Sequence, residues 1–131
     1  MIRYRAGYKY QLVEDYQHET DIPGVSIATP FICLSKTGLL TIKAGYAWNG
    51  ASGPTIDSKS SMRGSLVHDA LYQLMSIYPD LLKFRLYADE LFFITCKQDG
   101  MGSARAWLWK KAVNLFGEHA ARTQDQILEA P

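Results

Sequence analysis

The sequence predicts an α+β fold, a small antiparallel N-terminal sheet followed by a three-helix C-terminal part. Three observations carry this: strand-period alternation near the N-terminus, a hairpin pattern over 31–42, and apolar residues at helical spacing from residue 62 onward. A chain of 131 residues is the usual size of one domain. It divides into a sheet (1–44), a glycine and aromatic loop (45–61), helices (62–117) and a tail (118–131).

From Tyr8 to Val13, Tyr8, Tyr10 and Leu12 share one face and Lys9 and Gln11 take the other, the pattern of a half-buried strand. Glu14 to Thr20 reads as a polar stretch, broken off at Pro23-Gly24. Phe31 to Leu34 and Leu39 to Ile42 form a hairpin closed by Lys36-Thr37-Gly38. In 45–61, Gly45, Gly50, Gly53 and Pro54 break regular structure, while Tyr46 and Trp48 are too large and apolar for a solvated loop and pack it down. A first helix spans Met62 to Met75, with Leu66, Val67, Ala70, Leu71, Leu74 and Met75 as its buried stripe. Ser58, Ser60 and Ser61 are its available N-caps, and Pro79 closes it. A second runs from about Leu81 to Lys97 and stops at Gly100 or Gly102; a third runs from about Ser103 to Phe116 and ends at Gly117. The tail continues as helix or frays.

With 47% hydrophobic and 21% charged residues, the chain has enough apolar material for a core, which excludes bulk disorder. Fourteen basic against thirteen acidic residues give a net charge of +1, so no global field would hold the chain on phosphate or an anionic bilayer, and a dedicated nucleic-acid binder is disfavoured. Cys33 and Cys96 sit among apolar neighbours, where free cysteine packs as a small hydrophobe. A reducing compartment is the simpler reading, with a Cys33–Cys96 disulfide as the alternative. No apolar run is long enough to span a bilayer, and Met1 to Arg5 is followed by no apolar signal core.

The chemistry gathers in Ser65-Leu66-Val67-His68-Asp69-Ala70-Leu71-Tyr72, where His68 and Asp69 stand four and three residues before Tyr72 and form one strip beside the apolar stripe. On the next helix Arg85, Asp89, Phe92, Phe93 and Cys96 share a face, placing a carboxylate among aromatics, where burial needs a partner. If the two helices pack antiparallel, Asp89 accepts an imidazole N–H of His68 and fixes its tautomer, and a histidine held that way is a competent general base.

The run His68-Asp69-Ala70-Leu71-Tyr72, with Ala88-Asp89 and aromatics on a second helix, resembles the His-Asp-x-x-Tyr signature of secreted and prokaryotic phospholipases A2. The resemblance implies His68 as the base activating water, Asp89 as the carboxylate orienting it, Tyr72 as hydrogen-bonding support and Asp69 as a calcium ligand. Carbonyls of Tyr46, Trp48, Asn49 and Gly50, in the loop 46–53, would complete the calcium site with hard oxygens. The flanking cysteines of the secreted enzymes and their Tyr-x-Gly-x-Gly loop are absent. A wider resemblance takes in Gly45 to Asp57, the His68 motif and Ala88-Asp89, and nearly the whole chain. It is similar to a family of phage and prophage proteins classed as a domain of unknown function, which commonly has an aspartate where this chain carries Asn49, an amide and a weaker calcium ligand.

Plainer readings stand beside these. His68 serves the fold alone; Asp89 forms a buried ion pair with Arg85, Arg63 or Arg105; the Trp48 loop is a lid over the core. Trp107 and Trp109, with Leu108, Val113 and Phe116, serve core or interface packing rather than base stacking, and Arg105, Lys110, Lys111 and Arg122 form a solvated basic face. Zinc lacks paired ligands, since only His18, His68, His119 and two cysteines are present. Gly64-Ser65-Leu66-Val67-His68 is no nucleophile elbow, and Gly50-Ala51-Ser52-Gly53-Pro54 is no phosphate loop.

Two functional expectations follow. The first is a phage- or prophage-encoded, calcium-dependent ester hydrolase acting on a lipid or small ester, with His68, Asp89 and Tyr72 catalytic and Arg63 and Arg85 in support. The second is a non-catalytic phage accessory or virion protein that binds a host or phage protein, its polar cluster bracing the fold. Neither involves nucleic acid, an organic cofactor or a transmembrane segment, and both place the chain in the host-cell cytoplasm or on the virion.

Overall fold

A computed structural model describes residues 2–4, 10–48, 59–123 and 128–130, with side chains over 10–48 and 59–115. Its elements in chain order are β1 (Ile2–Tyr4), β2 (Tyr10–Gln11), β3 (Tyr16–Glu19), β4 (Ile27–Ala28), β5 (Ile32–Leu34), β6 (Leu39–Ile42), β7 (Ala47–Trp48), α1 (Lys59–Ile77), α2 (Arg85–Gln98), α3 (Ser103–Thr123) and β8 (Leu128–Ala130). The fold is α+β, as the sequence predicts, in two compact units: Tyr8–Trp48, and Met1–Gly7 with Asn49–Pro131.

In the first unit a four-stranded antiparallel sheet runs in the order β3-β6-β5-β4, and β2 pairs separately with β7. The expected hairpin is β5–β6, in register Ile32↔Ile42, Cys33↔Thr41 and Leu34↔Leu40. Alternation sends Ile32, Leu34, Leu40 and Ile42 inward, all fully buried. Its turn depends on Gly38, whose φ is +90°; a Cβ there would lie 2.3 Å from the Thr20 carbonyl oxygen. Tyr46 and Trp48 are buried as expected, Trp48 against Tyr10 with ring centroids 5.6 Å apart.

The second unit is helical, with β1 and β8 paired antiparallel as a two-stranded sheet. α1 packs on α2, and α3 on both. All six residues of the expected α1 stripe are buried. A second cluster joins α2 to α3 through Phe92, Cys96, Met101, Ala106 and Trp109. α2 ends in a Schellman cap: Gly100, φ +99°, donates to the Lys97 carbonyl, and Met101 donates to that of Cys96.

Several boundaries differ from expectation. Glu14 to Thr20 contains β3, because Tyr16 and His18 alternate inward opposite Ile42 and Leu40, a pattern weakened by the polarity of His18. α1 begins at Lys59, so Ser60 and Ser61 are helical rather than capping; Ser58 lies outside the described residues. Pro79–Phe84 is a 3-10 turn, so the second helix starts at Arg85 rather than Leu81. α3 runs through Gly117 to Thr123; one glycine costs a helix about 1 kcal/mol, too little to stop it among good helix formers. The tail supplies β8, and β1 was not foreseen. Tyr8 and Lys9 of the first expected strand, and Asn49 to Asp57 of the loop, lie outside the described residues.

Candidate active site

α1 and α2 run antiparallel, so α1 residues meet α2 in descending order. Arg63 reaches Asp99, His68 reaches Asp89, and Tyr72 reaches the same carboxylate. Gly64 sets how closely they approach. A Cβ there would sit 2.7 Å from Cys96 Sγ and 3.3 Å from both the ring and the carbonyl of Phe92. The sequence reading passed over this glycine, although an isolated glycine inside a helical pattern is itself a signal of close packing.

One turn further on, His68 Nε2 donates to Asp89 Oδ1 at 2.8 Å. The Tyr72 hydroxyl donates to the same oxygen. The two rings lie against each other with centroids 4.0 Å apart, and Phe92 walls the imidazole at 5.4 Å. Asp89 is fully buried. Its Oδ2 accepts no hydrogen bond among the described residues and faces Arg85 Nη1 at 3.7 Å, an i,i+4 ion pair within α2. The carboxylate is therefore anchored on both oxygens, by two donors on one and a cation on the other.

The other imidazole nitrogen, Nδ1, lies 3.8 Å from Asp69 Oδ1. Side-chain accessibility is 1% at Asp89, 9% at His68 and 20% at Asp69, so the His68–Asp89 pair is buried and only Asp69, beside Nδ1, is partly accessible. Burial opposes protonation of His68, but Asp69 and Asp89 on its two sides outweigh it and raise its pKa above the ordinary 6.5. Burial and the Asp89 charge, partly offset by Arg85, push the Tyr72 phenol well above its ordinary range, so it remains a neutral donor.

The structure thus brings together His68, Asp69, Tyr72, Asp89 and Arg85. It takes Arg63 elsewhere: its guanidinium bonds Asp99 and Gln98, about 15 Å along α2 from Asp89 at 1.5 Å per residue. Arg105 lies over the Trp109 ring. Cys33 and Cys96 are free thiols, and burial pushes Cys96 up to about 12, which makes it inert packing.

Of the implied calcium donors, Asp69 has the right chemistry and position, a hard, partly accessible carboxylate beside Nδ1. The Tyr46 carbonyl already accepts the Leu12 N–H, and Trp48 lies within β7. Asn49 and Gly50 lie outside the described residues. Among the described residues no three His, Cys, Asp or Glu side chains gather to hold a metal. No described helix is long and apolar enough to cross a membrane. Comparisons with known protein families, curated proteins and solved structures find no match.

Proposed function

We propose that the chain is a phage- or prophage-encoded hydrolase that cleaves an ester bond with His68 as general base. The observation that supports this is the two-sided environment of the imidazole, with Nε2–H held by a sealed carboxylate and Nδ1 facing the partly accessible Asp69. With its proton fixed on Nε2, neutral His68 carries its lone pair on Nδ1. A water there gives its proton to Nδ1 as its oxygen attacks the ester carbonyl; Asp89 stabilises the imidazolium, and the proton then passes to the leaving alkoxide. Tyr72 and Arg85 hold Asp89 in place throughout. Calcium, bound through Asp69, would polarise the carbonyl as a Lewis acid.

The test is hydrolysis of phospholipid and small-ester substrates with and without calcium, in the parent and in His68→Gln. Calcium-dependent turnover that disappears in the variant while its circular dichroism is retained is the expected result. Full activity in the variant, or none in the parent on any substrate, contradicts the proposal.

The near-complete burial of the cluster favours a second reading, in which it braces a non-catalytic accessory or virion protein that binds a host or phage protein. In that case His68→Ala lowers the melting temperature by the loss of one buried hydrogen-bonded group, about 1–3 kcal/mol, and leaves partner binding intact.

A further inference from the structure

α3 is apolar on two opposite faces. Ala106, Trp109 and Val113 turn to the core, but Ala104, Trp107, Leu108 and Leu115 turn away from it. On the outward side Trp107 is 51% exposed, Leu108 59% and Leu115 79%, at the i, i+1 and i+8 positions of a single helical stripe. A helix with apolar residues on both sides needs a second cover.

Charge identifies the cover. From Ser103 to Leu115 the helix carries Arg105, Lys110 and Lys111 and no acidic residue. Lys110 is drawn aside to Glu90. Lys111 stands in the middle of the outward stripe, with its ammonium 5.2 Å from the Trp107 ring centroid, while Arg105 lies over the core-facing Trp109 ring. A second copy meeting this face across a two-fold axis would set Lys111 against Lys111 inside an apolar contact, a like-charge arrangement that disfavours the pairing. A nucleic acid would satisfy the lysine but leave Leu108 and Leu115 uncovered. An anionic lipid surface satisfies both. Leucines enter the acyl boundary, the tryptophan sits at headgroup depth, and Lys111 extends its stem along apolar surface to reach phosphate.

We propose that the outward face of α3, formed by Trp107, Leu108, Lys111 and Leu115, docks this protein on anionic lipid surfaces. This stands apart from the ester-hydrolase reading and requires no chemistry at His68.

The test is co-sedimentation of the full chain with vesicles of phosphatidylglycerol and phosphatidylcholine, compared with phosphatidylcholine alone. Binding should rise with the phosphatidylglycerol fraction, weaken with salt and shift tryptophan emission to the blue, and the shift should vanish in Trp107→Phe. Lys111→Glu should weaken binding on the order of twentyfold, at about fivefold per charge near such a surface. The double substitution Leu108→Ser, Leu115→Ser should abolish binding while leaving the circular dichroism unchanged, since both side chains are exposed. No binding of the parent to phosphatidylglycerol vesicles overturns the proposal. So does binding unaffected by the two serines, a stable dimer that shields Trp107 without vesicles, or binding to single-stranded oligonucleotide in place of vesicles.

Discussion

At the scale of the residue, His68 is governed by two carboxylates that act on different atoms. Asp89 fixes where the proton sits and Asp69 adds a second negative charge at the opposite nitrogen. On the proposed hydrolase reading, the raised pKa gives stability and activity opposite responses to pH. Because the folded pKa lies above 6.5, the charged imidazole contributes its full stabilisation below 6.5, and that contribution is lost as pH rises through the folded value. General-base activity needs the neutral ring, so kcat/KM rises over the same window. Melting curves and rate profiles across neutral pH check this pair of trends, and His68→Gln should flatten both. Tyr72→Phe removes one of the two donors to Asp89 Oδ1 and should cost about 1–2 kcal/mol by thermal or urea unfolding. The His68–Asp89 contact was legible in the sequence because a carboxylate among aromatics needs a partner and the facing helix offers an imidazole, whereas Tyr72 was expected only as the hydrogen-bonding support that the phospholipase resemblance implies. Arg63 was misplaced because helical spacing gives no distance along the partner helix: its register puts it opposite Asp99.

At the scale of the element, the helix pair owes its spacing to Gly64. Gly64→Ala adds a methyl 2.7 Å from Cys96 Sγ, and the overlap should cost more than the helix propensity gained, for a net loss of about 1–2 kcal/mol in unfolding free energy. The α1 stripe and the Gly100 cap could be read from spacing and from glycine after a helix. The 3-10 turn at Pro79–Phe84 could not, because its apolar Leu81, Leu82 and Phe84 continue the helical pattern while Pro79 imposes a tighter start. Gly117 misled for the opposite reason: a glycine is a stop only where the chain beyond it leaves the helix, and this chain does not.

At the scale of the whole molecule, the chain divides into a sheet unit and a helical unit, each with its own buried apolar residues. Its size predicts one domain, so unfolding followed at Trp48 in one unit and at Trp109 in the other should give coincident midpoints; two separated midpoints would show that the units unfold independently. The β1–β8 pairing of the two ends escaped the sequence reading, since three-residue strands carry too little alternation to announce themselves. Calcium provides a second whole-molecule measurement. At a hundred times its dissociation constant, a ligand of the native state adds about 2.7 kcal/mol, so the melting temperature should rise in the parent and much less in Asp69→Asn.

The claim on which the rest depends is that Asp89 holds the proton on Nε2 and leaves Nδ1, beside Asp69, as the basic atom of His68. Nitrogen-15 NMR of the imidazole through neutral pH tests it directly. The predicted result is a neutral ring protonated at Nε2 whose Nδ1 takes up a proton with a pKa above 6.5. A neutral ring protonated at Nδ1, or a His68 that does not titrate, would contradict it.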